Sequence, residues 1–121
     1  MKIGISADGK NLEDRVSEVF ARCPYFIIAE IENGKIKNFE AIENETGLGR
    51  GGAGIFAAKL MAERDVKAVI TKNIGPRAFE VLKQFNIEVY QGEGEIKKAI
   101  EEFIQGKLKN LNENSIRYRW K

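Results

Sequence analysis

The chain has 121 residues and no histidine. That removes imidazole as general base and as metal ligand, and with it Ser–His, Cys–His and HExxH chemistry within this chain. A single cysteine, Cys23, excludes an intramolecular disulfide. No apolar run is long enough to cross a bilayer, so no membrane partner is expected. The start, MKIGISADGK, lacks the apolar core of a signal peptide, which points to a cytoplasmic protein. A formal net charge of +2 is too small to indicate a nucleic-acid partner.

What is present is an ordinary globular composition, 43% hydrophobic and 31% charged, in a length that suits one domain with a continuous core. Lys, Glu and Ile are abundant and Gln is scarce, a balance that leans towards a thermophile. The charge is unevenly placed. Residues 107–121 carry five basic groups (Lys107, Lys109, Arg117, Arg119, Lys121) against one acid, Glu113. The expected division is a folded domain over residues 1–106 and a basic, loosely ordered tail over 107–121.

KIGISA, residues 2–7, alternates apolar and small or polar side chains and reads as a first strand. YFIIAEIE and KIKNFEAIE flank Asn33-Gly34, the dipeptide that supplies both positive-φ residues of a type I′ turn, so they form a hairpin. AGIFAAKLMAERD is rich in helix formers and apolar nearly all round, which predicts a well-buried helix. VKAVIT reads as an inner strand. NIGPRAFEVLKQFN reads as a helix with Pro76 near N1, its apolar face made by Ala78, Val81, Leu82 and Phe85. IEVYQ is a last short strand. GEIKKAIEEFIQG is a third helix, with Ile96, Ala99, Ile100 and Phe103 on one face and Gly106 at its C-terminal end. The strand–helix alternation implies parallel strands with right-handed crossovers. The expected architecture is a three-layer α/β/α sandwich with a five-stranded mixed sheet and an N-terminal antiparallel hairpin.

Two stretches carry candidate chemistry. GLGRGGAGIFAAKL, residues 47–60, feeds a glycine-rich turn into a helix. Its two GxGxxG matches lack the context of a dinucleotide site: a hairpin intervenes after the first strand, and the next strand ends in Thr71-Lys72-Asn73 with no acid for a ribose. No GxxxxGK[ST] signature occurs. Either the glycines only let the helix pack closely, or Gly51, Gly52 and Gly54 form an anion-friendly nest with Arg50 beside it. The second stretch, DRVSEVFARCPYF, delivers Cys23 just before the second strand, with Pro24 holding it extended. Cys23 is either a small core side chain or a soft metal ligand favoured as thiolate by Arg22.

SEVFARCPYFIIAEIENGKI together with GLGRGGAGIFAAKLMAERDVKAVITKNIGPRAFEVLK resembles the dinitrogenase iron–molybdenum cofactor biosynthesis family. The matching motifs are Phe20-Ala21-Arg22, Pro24-Tyr25-Phe26, Gly52-Ala53-Gly54 and Asn73-Ile74-Gly75-Pro76-Arg77-Ala78-Phe79, and the resemblance covers residues 1–105. It implies a ribonuclease H-like fold. It also implies a non-catalytic protein that binds or carries an iron–sulfur or iron–molybdenum-type cluster or its precursor, working with a cluster-biosynthesis partner as a monomer or weak dimer. The family's carriers often have a histidine before the aromatic and a glycine after it; here those positions are Val19 and Ala21. The implied binding residues are Arg22, Cys23, Arg50, Gly51, Gly52, Gly54, Lys72, Asn73 and Arg77, with Cys23 the metal ligand, completed by a second chain and hence partly exposed with a lowered pKa. Two other readings compete. A metal-dependent nuclease needs converging carboxylates, and Asp8 stands nearly alone at that edge. A cofactor-free scaffold would use the tail's Tyr118 and Trp120.

Overall fold

The computed structural model describes residues 1–45 and 52–112. In chain order the elements are β1 (Lys2–Ala7), β2 (Tyr25–Glu32), β3 (Lys35–Glu43), α1 (Ala53–Glu63), β4 (Val66–Thr71), α2 (Pro76–Gln84), β5 (Glu88–Gln91), α3 (Ile96–Ile104) and β6 (Lys109–Asn110). They build one mixed sheet in the order β3-β2-β1-β4-β5-β6. β1, β4 and β5 run parallel, and β2, β3 and β6 antiparallel to their neighbours. The hairpin turns at Asn33 (φ 53°) and Gly34 (φ 73°), the left-handed pair that Asn-Gly is suited to supply.

The sheet has six strands, not the five expected. The sixth comes from the segment read as tail: Tyr90 pairs with Asn110, and the Leu111 N–H donates to the Val89 carbonyl at 2.8 Å. Two apolar side chains of odd spacing hold it there. Leu111 joins the core on one face of the sheet and Leu108 packs on the other. A two-residue strand has no alternation to read, so periodicity missed it.

Each sheet face has its own core. Phe26, Ile28 and Val69 pack with Ala57, Met61, Phe79 and Leu82 from α1 and α2. Ile3, Ile5, Ile27 and Ile70 pack with Ile96, Ala99 and Ile100 of α3. Among the described residues no helix is long and apolar enough to cross a membrane.

α1 departs from expectation. Its buried side chains are Ala53, Ala57, Ala58 and Met61, while Ile55 and Phe56 are 36% and 64% exposed. The small residues set how closely the helix approaches its neighbours, and the large ones are left outside. On α2, Phe79 is buried and Phe85, placed on the apolar face by periodicity, is exposed at the C-cap.

The closest approach is at Gly54. A Cβ there would stand 2.9 Å from the Ala78 Cβ, so α1 and α2 touch through a missing methyl group. Gly54→Ala is expected to lower stability by about 1 kcal/mol or more, because overpacking outweighs alanine's better helix propensity. Ala78→Gly should cost less in that variant than in wild type. Urea unfolding of the four proteins checks this; a more stable Gly54→Ala variant would remove the contact from the account.

Candidate functional site

The carboxyl ends of the parallel strands face one edge, where open α/β sheets place ligands. Three segments meet there around a cleft of about 390 Å³: residues 19–22, residues 52–55 and residues 75–78. The first belongs to the β1–β2 connection, the other two are the starts of α1 and α2.

The β1–β2 connection is tied to the end of β4. Val19 bridges Asn73 in parallel fashion, and the Phe20 N–H donates to the Asn73 carbonyl at 2.8 Å. The same carbonyl accepts from the Thr71 hydroxyl at 3.1 Å, and Thr71 Oγ1 accepts from the Ser6 hydroxyl at 2.9 Å. Asn73 Nδ2 donates to the Glu18 carbonyl at 3.0 Å. Ser6 and Thr71 are buried, so this relay fixes the cleft wall from inside the sheet. Thr71→Val keeps the shape and leaves the Ser6 hydroxyl without its acceptor; the expected loss is about 1–3 kcal/mol, read from urea midpoints. A change within error would deny the relay a structural role.

The other end of the loop is held by Asn44, just beyond β3. Its Nδ2 donates to the carbonyls of Ala21 (3.0 Å) and Cys23 (2.8 Å). Ala21, the first of these two residues, has φ 75°, a left-handed conformation suited to glycine. The resemblance placed a glycine at this position, and the backbone gives the reason.

Charge in the cleft is positive. Gly52 and Gly75 cap α1 and α2, and neither helix has a side-chain cap or an acidic residue in its first turn. Both positive dipole ends therefore meet the cleft unopposed by their own helices. Arg22 and Arg77 line it with exposed side chains, and among the described residues neither is in an ion pair. Among the described residues no carboxylate lines it.

Of the sequence-proposed residues, Arg22, Gly52, Gly54 and Arg77 line the cleft. Gly54 does so as a packing residue, and Gly52, with φ 88° and open space around it, as a conformational one. Lys72 and Asn73 stand beside the cleft and serve structure. Lys72 pairs with Glu18 at 3.2 Å and Glu93 at 3.8 Å, and Asn73 ties down the loop. Arg50 and Gly51 lie outside the described residues.

Cys23 corrects the expectation of a partly exposed thiolate. It is 1% exposed in the core with Phe20 and Phe26, and points away from solvent despite its cationic neighbour. Burial pushes its thiol up from the ordinary 9.0 to about 11, against smaller opposing effects of hydrogen bonds from the backbone and Asn44. Pro24 and the strand register turn this side chain inward while Arg22 points out. Sequence reasoning missed Asn44 altogether, although counting register back from the Asn33-Gly34 turn would have brought it opposite the Cys23 region.

The raised value has a sign. The unfolded chain releases the thiol proton near 9.0 and the folded chain only near 11, so the thiol's contribution to stability is intact below pH 9 and is lost as pH rises through 11. Wild type should therefore lose about 2 kcal/mol more than Cys23→Ala between pH 8 and the top of that range. Paired urea titrations across the range check it; parallel pH profiles would contradict the burial argument.

Comparison with known proteins agrees with this architecture. The family described as dinitrogenase iron-molybdenum cofactor matches residues 1–106. An uncharacterised protein of Methanocaldococcus jannaschii is 44% identical over 112 residues, covering 92% of each chain. Among solved structures, the apo form of the orange protein from Desulfovibrio gigas is 27% identical with a TM-score of 0.84, over 91% of this chain and 92% of that one. A Thermotoga protein described as a candidate NifB protein is 35% identical with a TM-score of 0.78, over 91% of this chain and 92% of the other. With a match spanning nearly the whole described domain, this chain belongs to the dinitrogenase iron-molybdenum cofactor family.

Proposed function

We propose that the cleft binds and carries a preassembled anionic metal–sulfur cluster, of the iron–sulfur or iron–molybdenum type, or its precursor, without catalysing a reaction on it. The observation that carries this reading is the convergence of two uncapped helix N-termini with Arg22 and Arg77 on one cleft that, among the described residues, contains no carboxylate. Among the described residues no group of three or more His, Cys, Asp or Glu side chains could hold a metal ion. The cargo therefore has to bring its own inorganic ligands, and the protein supplies charge and hydrogen-bond donors. Val19, at the position where the family's carriers often have histidine, lines the cleft. This chain then offers an apolar contact where those histidine-bearing carriers offer a ligand.

The ribonuclease H-like grouping implied by the resemblance adds no nuclease chemistry to this reading, since two-metal catalysis needs carboxylates in the cleft. A second reading, a protein-interaction module without cofactor, rests on the exposure of Ile55, which lines the cleft, and of Phe56, which follows it in α1. In the first reading the same residues would meet a cluster-biosynthesis partner in the cytoplasm.

Anaerobic purification, then incubation with tetrathiomolybdate or with iron and sulfide, separates the two readings. Wild type should hold metal through gel filtration, less so at high salt. Arg22→Ala/Arg77→Ala should bind at least about tenfold more weakly, as expected for loss of charge-assisted hydrogen bonds. Cys23→Ser should hold as much metal as wild type. Equal retention by the double-arginine variant would refute the cleft as the site, and a folded Cys23→Ser protein without metal would restore thiolate ligation.

A further inference from the structure

Arg22 has to be placed by its backbone, because among the described residues no ion pair holds its side chain. The peptide unit just before Arg22 and the one just after Cys23 are held by one group. Asn44 Nδ2 donates to the Ala21 carbonyl at 3.0 Å and to the Cys23 carbonyl at 2.8 Å. The Asn44 N–H continues the contact by donating to the Pro24 carbonyl at 2.9 Å. The turn so held includes the left-handed Ala21, a conformation that alanine leaves readily when nothing restrains it. Asn44 is itself only 9% exposed and follows directly on β3, so it is anchored to the sheet rather than to the loop.

We infer that Asn44 is a positioning residue for ligand binding: its side-chain amide locks the Ala21–Cys23 turn so that the Arg22 guanidinium stands ready at the cleft. The two amide hydrogens match two carbonyls, which explains the residue type. Aspartate would set a carboxylate against both carbonyl oxygens, and serine has one donor for two acceptors. A preorganised guanidinium binds an anion more tightly than one that must first be ordered. This inference rests on the reading that the cleft takes an anion through Arg22.

Titration with tetrathiomolybdate, followed by its visible absorption, tests it in wild type, Arg22→Ala, Asn44→Ala and the double variant, with urea stability measured alongside. Each single variant should bind about tenfold more weakly than wild type. The double variant should bind no more weakly than Arg22→Ala, while the stability loss from Asn44→Ala is the same in both backgrounds. Asn44→Ser should fall between wild type and Asn44→Ala, and it takes the place of Asn44→Ala in the cycle if that protein does not fold. Undiminished affinity in the Asn44 variant overturns the inference, and so does a further tenfold loss on adding it to Arg22→Ala, which would mean general damage to the cleft. If Arg22→Ala binds like wild type, Arg22 is not a ligand contact and the reading beneath the inference fails with it.

Discussion

Gly54 lies against Ala78 with no room for a methyl group, and the position of the cleft follows from that contact. Two helices that approach this closely at their first turns bring their N-termini side by side. Their dipoles then add at one place instead of being spread along the sheet edge. A larger residue at either position would splay the helix starts and separate the two positive ends. The small residues Ala53, Ala57 and Ala58 continue the close approach along α1 towards the sheet. The exposure of Ile55 and Phe56 follows from the same geometry, since the helix faces its neighbours with its smallest side chains.

The charges nearby divide into those paired within the fold and those that make no ion pair among the described residues. Lys72 stands between Glu18 and Glu93 and helps hold the loops that follow β4 and β5. Its charge is offset where it stands. Arg22 and Arg77 face the cleft with no acid among its described lining residues. The cleft is therefore electropositive although the whole chain carries a net charge of only +2. Electrostatic selection of an anion depends on this local arrangement, not on the net charge.

Much of the fold could be read from the sequence because local signals agreed. Residues 2–7, 25–32, 35–43 and 66–71 are strands at the limits their alternation and the Asn33-Gly34 turn indicated. Cooperation between elements was not legible. α1 looked buried because hydrophobicity counts apolar residues and not their sizes. β6 is too short to have a pattern and exists because Leu108 and Leu111 fit opposite faces of an edge that β5 left open. At the site, Arg22 and Arg77 were legible from the rule that ligands meet parallel strands at their carboxyl ends. The inward turn of Cys23 was not, because residue type alone serves a core and a ligand equally well. Asn44 was hidden for a different reason. The two-residue hairpin turn places residue 44 opposite residue 23, and the extra residue in β3 near Lys37 moves it opposite Pro24. Its role appears only when register and bulge are counted together.

The segment from Phe20 to Cys23 joins these arguments. Phe20 and Cys23 are buried, with the Phe20 ring 5.5 Å from that of Phe26, and Ala21 is buried between them. Arg22 is the exposed member of the four. Three inward side chains and one outward do not fit the strict alternation of a strand. The left-handed Ala21 breaks the alternation, and Asn44 and Asn73 hold the break from either side. On this view the cysteine is part of the anchor that turns its neighbour outward. A buried thiol serves that purpose better than an ionised one, because a thiolate would draw water into the core that fixes the turn.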